Sequence, residues 1–269
     1  MMSGAAVFDI TGKVIVITGG NGKLGSAYVK ACAEAGARVA VFDVAEKLSA
    51  SLEGLENVRY YKVDITNKQS IEDATAEIEK EWGVPDVLVN NAGLDSPPGH
   101  GAGDENESFE NYSLESWNAV WQVNGTGTFL CCQVIGGRMA QNKKGSIINI
   151  SSMYGLVSPN QDMYEYKKED GAPFVKPISY SASKSAILNL TRYLATYWGD
   201  KGVRVNTLAP GGVFDNQDER FLKEYAKRVP MRRMANVDEY NGAIIFLASD
   251  ASSYMTGSTL VIDGGWTAW

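Results

Sequence analysis

Residues 14–25 read VIVITGGNGKLG, an apolar, β-branched run that passes directly into a glycine cluster. The run from Val14 to Thr18 has the length and composition of a buried strand. Glycines 19, 22 and 25 follow where such a strand would turn into a helix. A glycine-rich strand-to-helix turn lets the backbone approach a pyrophosphate, which then lies at the positive end of the helix dipole. The segment therefore predicts the first strand, turn and helix of a dinucleotide-binding sheet.

The rest of the chain repeats this alternation of short apolar strands and longer helical patterns. Further helices are predicted up to residue 35 and over 70–82, 114–141, 179–198 and 237–248, and further strands over 38–43, 58–63, 86–90, 146–150, 204–208 and 259–262. Uninterrupted apolar strands separated by helices are typical of a parallel sheet covered on both faces. No linker composition divides the chain. We therefore predict one α/β domain over residues 1–269, a Rossmann-type, doubly wound sheet of seven parallel strands.

Composition excludes several function classes. The 269 residues carry a formal net charge of −7 and no basic run, which disfavours a nucleic-acid groove or an anionic membrane surface. Cys32, Cys131 and Cys132 have no CxxC spacing, and His100 is the single histidine, which disfavours a metal site or a Ser-His-Asp triad. No apolar run approaches the length of a bilayer span, and the N-terminus lacks signal-peptide features. We expect a soluble, cytoplasmic protein without nucleic-acid, membrane or metal partners.

Two long segments, 94–111 and 158–177, interrupt the alternation. Both follow strands, so we expect them at the carboxyl edge of the sheet, where ligands bind in doubly wound folds. A substrate lid is predicted over 212–235. An acyl chain or steroid would need an apolar lid, so the mostly polar insertions favour a polar, sugar-like substrate. The side chains that they contribute are Asp95, His100, Asp104, Glu105, Glu107, Tyr164, Tyr166, Lys167 and Lys168.

The end of the second predicted strand carries a carboxylate, Asp43. At this position a carboxylate accepts hydrogen bonds from both adenosine ribose hydroxyls and repels a 2′-phosphate. Lys23, inside the glycine turn, is a cation that could reach a 2′-phosphate. We rank the Asp43 site above one flexible lysine, and so expect NAD as the cofactor, with NADP as the alternative.

Several segments together resemble the short type of the short-chain dehydrogenase/reductases, over nearly the whole chain. They are TGGNGKLG (18–25), VDIT (63–66), NNAG (90–93), QVNGTGTF (122–129), IINISSMYG (147–155), YSASK (180–184), RVNTLAPGG (204–212) and VIDGG (261–265). The resemblance implies hydride transfer between a nicotinamide and a carbinol or ketone. Within the family, sugar dehydrogenases of bacterial gluconate or surface-glycan pathways look most similar.

The resemblance assigns catalysis to Asn124, Ser152, Tyr180 and Lys184. Ketone reduction needs a proton donor and the reverse reaction needs a base, yet a tyrosine pKa near 10 is too high for a base at neutral pH. Lys184, one helical turn after Tyr180 on the same face, is expected to lower that pKa. The resemblance adds that Lys184 holds the nicotinamide ribose. Ser152 is expected to polarise the substrate oxygen, and Asn124 to hold a water in a proton relay.

Two of these assignments have competitors. The family's serine stands three residues before the glycine, which selects Ser152 before Gly155 and leaves Ser151 a structural role. Tyr164 also begins a YxxxK pattern, at an interval from Ser152 closer to the family's usual one. Apolar periodicity sustains a helix of several turns after Tyr180, whereas glycine and proline soon follow Tyr164. We therefore predict that Tyr180 is the catalytic tyrosine.

The predicted cofactor contacts come from the glycine turn, the ends of the following strands and the YSASK helix. They are Gly19, Asn21, Gly22, Lys23, Leu24, Gly25, Asp43, Val44, Asp64, Ile65, Asn91, Ala92, Gly93, Tyr180, Lys184, Pro210, Gly211 and Val213. The TGxxGxxG spacing departs from the short type, with Lys23 in place of its middle glycine, and resembles extended members that epimerise or dehydrate nucleotide sugars. Such an enzyme is one alternative function, and a non-catalytic nicotinamide-binding sensor is another.

The two longest predicted helices, 114–141 and 179–198, carry apolar residues over more than one stripe. A helix that is apolar over much of its circumference is buried on both sides. The resemblance implies that these helices pair across a two-fold axis, so we predict a homo-oligomer, a tetramer. The apolar tail, Gly265 to Trp269, is a further candidate for burial.

Overall fold

The apolar run at residues 14–18 lies inside a seven-stranded sheet in a computed structural model, which describes residues 6–95, 108–171 and 174–269. The sheet order is β3-β2-β1-β4-β5-β6-β7, and all neighbouring strands are parallel. This confirms the predicted Rossmann-type α/β fold. The strands are β1 Val14–Thr18, β2 Arg38–Asp43, β3 Val58–Lys62, β4 Val87–Asn90, β5 Gly145–Ile150, β6 Val203–Pro210 and β7 Thr259–Ile262.

Helices cover both faces of the sheet, which explains why its strands are uninterruptedly apolar. Ile15 and Ile17 pack on the side of the helices at residues 23–34 and 241–248, while Val14 and Val16 pack on the side of the helices at residues 68–82 and 178–198. In chain order the helices are α1 Lys23–Glu34, α2 Lys68–Trp82, α3 Leu114–Trp121, α4 Thr128–Cys131, α5 Gly137–Gln141, α6 Glu165–Glu169, α7 Ile178–Trp198, α8 Glu219–Arg228 and α9 Asn241–Ala248. No helix in the described ranges is both long and apolar enough to cross a membrane.

The helix predicted over 114–141 is interrupted twice. Between α3, α4 and α5 the chain forms π-helical turns at Gln122–Gly127 and Cys132–Gly136. Glycines lie at close contacts here: a Cβ on Gly127 would be 2.5 Å from Ile65 Cδ1, and one on Gly136 would be 2.7 Å from the Trp198 ring. Single π turns inside α-helices are frequent at functional sites. The first of these carries Asn124.

Two other elements differ from the sequence prediction. Helix α8 lies within the segment 212–235 and was not predicted; Asp218 caps it by accepting a hydrogen bond from the Arg220 amide at 2.8 Å. The helix predicted over 237–248 begins as a 3₁₀ turn, Val237–Tyr240, and becomes α-helical at α9. The assignment of residues 212–235 as a substrate lid stays a prediction.

Adjacent glycines in the long helical run provide a matched test of its packing. A Cβ at Gly136 would lie within 3.0 Å of both Trp198 and Ile147, whereas a Cβ at Gly137 has nothing within 4 Å. We expect Gly136→Ala to lower the free energy of unfolding by about 1–3 kcal/mol, since overpacking forces the core apart. Gly137→Ala should be neutral or raise it by up to about 1 kcal/mol, because alanine has the higher helix propensity. Denaturant unfolding measures both, and equal losses in the two variants would contradict the packing described here.

Candidate active site

Two cavities lie side by side at the carboxyl edge of the sheet. The first, about 630 Å³, is lined by the glycine turn and by the ends of β2, β3 and β4. The second, about 690 Å³, is lined by Ser152, Tyr180 and Lys184 and by the segment after β6. Both cavities share Asn91, Gly93 and Val213, so they form one continuous cleft. Every residue predicted to contact a cofactor lines one of the two cavities.

The glycine turn is shaped by close backbone approaches. A Cβ on Gly25 would lie 2.1 Å from the Gly19 carbonyl oxygen, and Gly19 itself has a φ of +62°. Asn91 Nδ2 donates to the carbonyls of Thr18 and Gly19 at 3.0 and 3.1 Å, which ties the end of β4 to this turn. Gly22 is the N-cap of α1, whose N-terminus opens on the cleft. A compact, glycine-rich cradle at a helix N-terminus fits the pyrophosphate of a dinucleotide.

Charge at the outer end of the first cavity is negative. Asp43 accepts hydrogen bonds from the amides of Asn21 at 3.0 Å and Ala45 at 3.1 Å, which hold its carboxylate at the end of β2. Lys23 forms an ion pair with Asp215, in the segment after β6. The lysine is therefore directed across the cleft toward that segment. This arrangement fits an adenosine ribose with free hydroxyls.

Hydrogen bonds from serine side chains to main-chain carbonyls hold helix α7 against the loop after β5. Ser151 Oγ donates to the Lys184 carbonyl at 2.7 Å, and Ser185 Oγ donates to the Gly155 carbonyl at 2.9 Å. A Cβ on Gly155 would lie 2.8 Å from the Lys184 carbonyl oxygen, so only glycine allows this approach. Both serines line the cleft. The hydroxyl proton of Ser151 is taken up by the Lys184 carbonyl, whereas Ser152 Oγ accepts a hydrogen bond from the Tyr154 amide at 3.1 Å and keeps its own proton available.

Lys184 and Asn124 meet beneath the cleft, both buried. The Lys184 ammonium donates to the Ile150 carbonyl at 2.9 Å. Asn124 Oδ1 accepts from the Leu94 amide at 2.7 Å, and its Nδ2 donates to the Leu94 carbonyl and to Ser183 Oγ at 2.9 and 3.0 Å. Asn124 therefore clamps the chain after β4 onto α7. The water relay predicted for it stays a prediction.

The hydroxyl of Tyr180 is less acidic than the sequence suggested. Burial and, to a smaller extent, the charge of Asp95 raise the pKa of Tyr180 to about 12, against the lowering effect of a hydrogen bond with Ser152. Lys184 Nζ lies 5.9 Å from the ring centroid, and burial lowers the pKa of Lys184 itself to about 8. The expectation that Lys184 lowers the pKa of Tyr180 stays a prediction. At neutral pH Tyr180 is therefore a protonated phenol, the form that donates a proton.

The second YxxxK tyrosine, Tyr164, lies in a 3₁₀ turn before the short helix α6. Its ring packs inward, 4.8 Å from the centroid of Phe174 and 5.6 Å from that of Phe221, and burial raises its pKa. Tyr180, by contrast, stands in the first turn of the 21-residue α7. The structure agrees with the prediction that Tyr164 belongs to the insertion and that a sustained helix carries Tyr180.

The pocket is more apolar than the sequence indicated. One side is formed by an aromatic wall. It consists of Tyr154, Tyr164, Phe221 and Tyr225, which line the cavity, and of Trp266, which packs against Tyr154 and Tyr225. Sequence reasoning missed most of this wall, although the i, i+4 spacing of Phe221 and Tyr225 is a signal for it. Polar side chains do line the cavity, among them Asp95, Tyr166 and Lys167. His100, Asp104, Glu105, Glu107 and the side chain of Lys168 lie outside the described residues.

The C-terminal tail is half buried. Trp266 is 8% exposed, and its ring centroid lies 5.0 Å from that of Tyr225. Trp269 is 74% exposed and donates from Nε1 to the Arg228 carbonyl at 3.1 Å. The first tryptophan is therefore buried within the chain, whereas burial of the second, which would need a partner subunit, stays a prediction.

The sequence and structure of this chain are similar to those of known proteins. Residues 13–168 match a family model described as short chain dehydrogenase, and residues 171–267 match one described as Enoyl-(Acyl carrier protein) reductase. The chain belongs to the short-chain dehydrogenase family. It is 34% identical to a D-threitol dehydrogenase of Mycolicibacterium smegmatis, over 97% of this chain and 95% of that protein.

Solved structures in this family agree with the fold. A short chain dehydrogenase from Leptospira borgpetersenii with bound NAD+ superposes with a TM-score of 0.84 at 32% identity, covering 99% of this chain and 97% of that one. A gluconate 5-dehydrogenase from Burkholderia cenocepacia, in complex with NADP and tartrate, gives 0.84 at 29% identity, with 98% of each chain covered. Relatives of this dehydrogenase thus include one solved with NAD and one solved with NADP.

The buried lysine of this dehydrogenase makes its stability depend on pH. The pKa of Lys184 is about 8 in the folded state and 10.5 in the reference state. Between these values the unfolded chain binds more protons, so the free energy of unfolding rises with pH. Relative to Lys184→Met, the wild type should gain on the order of 1–3 kcal/mol from pH 8 to pH 10.5. Denaturant unfolding at several pH values measures this difference, with exposed Lys223→Met as the control. A relative stability that falls across the same window would contradict the buried position of Lys184.

Proposed function

We propose that this chain is an NAD-dependent dehydrogenase that interconverts a secondary carbinol and a ketone of a polyol or sugar-like substrate. The observation that carries the proposal is that Ser152, Tyr180 and Lys184 line one cavity, directly beside the cavity formed by the glycine turn. Burial keeps the pKa of the Tyr180 hydroxyl high, at about 12, so this cavity contains a proton donor next to a second hydroxyl. A proton donor beside a second hydroxyl is what a carbonyl oxygen needs as it becomes an alkoxide.

In this mechanism, NAD would supply the nicotinamide that accepts hydride from the carbinol carbon. Ser152 donates a hydrogen bond to the substrate oxygen and orients it. Tyr180 gives its proton to that oxygen during ketone reduction, and in the oxidative direction its phenolate takes the carbinol proton. Lys184, held by the Ile150 carbonyl, places a positive charge beneath the tyrosine and binds the nicotinamide ribose. Asn124 keeps the chain after β4 in register with α7.

Several features support NAD over NADP. The Asp43 carboxylate is held at the end of β2, where it can bind both ribose hydroxyls and repel a 2′-phosphate. Val44, which follows it in the cavity lining, brings no cation to this end of the cleft. Lys23 is engaged by Asp215.

The polar substrate class is supported by the relatives that act on D-threitol and gluconate. Charged side chains at the mouth of the second cavity support it independently, because they offer hydrogen bonds to hydroxyl groups.

We further propose that the chain forms a homotetramer and acts in the cytoplasm. Phe129 on α4 and Tyr193 and Tyr197 on α7 are 46%, 62% and 56% exposed, on the two helices predicted to pair. Exposed aromatic side chains on neighbouring helices are typical of a subunit interface. The three cysteines are free and buried, which suits a reducing compartment.

Replacement of the proposed proton donor separates the two YxxxK tyrosines. Tyr180→Phe keeps the ring and loses the hydroxyl, so kcat should fall by about 100-fold or more while NADH binding is retained. Tyr164→Phe is the matched control, and it should cost less than about 10-fold because the ring still fills the aromatic wall. Nicotinamide absorbance with a panel of polyols measures turnover, and fluorescence titration measures NADH binding. The reverse order of severity would assign catalysis to Tyr164.

The proposed cofactor preference depends on Asp43. Asp43→Ala removes two ribose hydrogen bonds and one repulsion, so the ratio of kcat/KM for NAD to that for NADP should fall by about 10-fold or more. Glu53→Ala, an exposed carboxylate outside the cavity lining, should leave the ratio unchanged. Parallel losses with both cofactors would mean that Asp43 only supports the glycine turn. A wild type that prefers NADP would overturn the assignment.

A further inference from the structure

An ion pair joins the two insertions beside the catalytic tyrosine. Asp95 follows β4 in the first insertion, and Lys176 lies in the second, just before α7. Both carboxylate oxygens of Asp95 lie 2.5 Å from the Lys176 ammonium, which also stands 5.1 Å from the centroid of the Tyr180 ring. All three side chains line the second cavity. A substrate oxygen bound at Tyr180 therefore has this pair as its neighbour.

The pair is positioned rather than free to move. Gln161 Oε1 accepts from the Lys176 amide at 2.9 Å, and Gln161 Nε2 donates to the Lys176 carbonyl at 3.4 Å. The Lys176 side chain is 11% exposed, while that of Asp95 is 62% exposed. Lys176 thus has a fixed backbone and a mostly covered side chain, and the carboxylate of Asp95 keeps accepting positions open toward the cavity.

We propose that the Asp95–Lys176 pair recognises the hydroxyl group on the carbon next to the reacting carbinol, so that the preferred substrate unit is a neutral vicinal diol. This inference rests on the proposed function and specifies its substrate. A hydroxyl both donates and accepts, and it can therefore donate to Asp95 and accept from Lys176 at once. Such charge-assisted bonds are about twice as strong as neutral ones.

Local charge favours the neutral diol over an aldonate. A substrate carboxylate only accepts hydrogen bonds, so it would gain from Lys176 and be repelled by Asp95. Several other charges around the mouth are also paired, Lys23 with Asp215 and Asp218 with Arg220, while the Lys167 ammonium lies 5.6 Å from the centroid of the Tyr166 ring. A site that hydrogen-bonds a substrate hydroxyl strongly rejects the analogue that lacks it.

The matched substrates are butane-2,3-diol and butan-2-ol, which share a carbon skeleton and a secondary carbinol and differ by one hydroxyl. The ratio of their kcat/KM values isolates recognition, because any effect of Asp95 on the chemistry of Tyr180 alters both substrates alike. Where butan-2-ol turns over too slowly, its inhibition constant against the diol supplies the comparison. Asp95→Asn and Lys176→Met should each lower this ratio by about 10- to 100-fold, mainly through KM for the diol. Asp162→Asn, in the second insertion but outside the cavity lining, should leave it unchanged.

Three results would overturn the inference. Equal losses with both substrates would assign the pair to the chemistry of Tyr180 and remove it from recognition. An unchanged ratio in Asp95→Asn and Lys176→Met would give the pair no part in substrate binding. A loss confined to gluconate in Lys176→Met would make the lysine a carboxylate site. In each case wild-type turnover of polyols leaves the proposed function standing, whereas a wild type that oxidises no polyol overturns that function before any variant is compared.

Discussion

The hydrogen bond from Ser151 Oγ to the Lys184 carbonyl is the contact on which the candidate site depends. It joins the end of β5 to the second turn of α7, and the absence of a side chain at Gly155 lets the two backbones approach. Ser152 follows Ser151 in the sequence, and Tyr180 lies one helical turn before Lys184 on α7. The contact between Ser151 and Lys184 therefore brings Ser152 and Tyr180 face to face. The same approach buries Lys184 and leaves the Ile150 carbonyl as the acceptor for its ammonium.

Burial of Tyr180 and Lys184 shifts their pKa values and so sets how each of them is protonated near neutral pH. The half-buried phenol and the buried ammonium both lose solvation that would favour their charged forms, so the pKa of Tyr180 rises while that of Lys184 falls. The aromatic wall packs against one side of the tyrosine, and the Asp95–Lys176 pair supplies charge close to its ring. The site therefore combines a protonated donor with a polar mouth, a combination that suits a carbinol flanked by further hydroxyls.

The sheet could be predicted from the sequence because each strand carries its own apolar run, as at Val14 to Thr18, and the glycine turn follows the first. The π turns could not, since the 3.6-residue periodicity continues through them and the close contacts made there are tertiary: Gly127 meets Ile65, and Gly136 meets Trp198. The raised pKa of Tyr180 could not be predicted either, because its main determinant is burial in the folded chain. Sequence spacing places Lys184 near the tyrosine, but only the folded chain shows that the lysine is itself desolvated.

A buried polar chain explains why α7 has one register on the sheet. Asn90 Nδ2 donates to Asn149 Oδ1 at 2.8 Å, Asn149 Nδ2 to Thr191 at 2.9 Å, and Thr207 to Thr191 at 2.8 Å, which links β4, β5, α7 and β6. Buried polar groups cost free energy when they lose their partners. A shift of α7 by one residue would turn Thr191 away from its two partners and leave them unpaired. Apolar packing alone tolerates such a shift more readily, since it is non-directional. The hydrogen-bonded chain therefore holds the helix at the one position where Tyr180 meets Ser152.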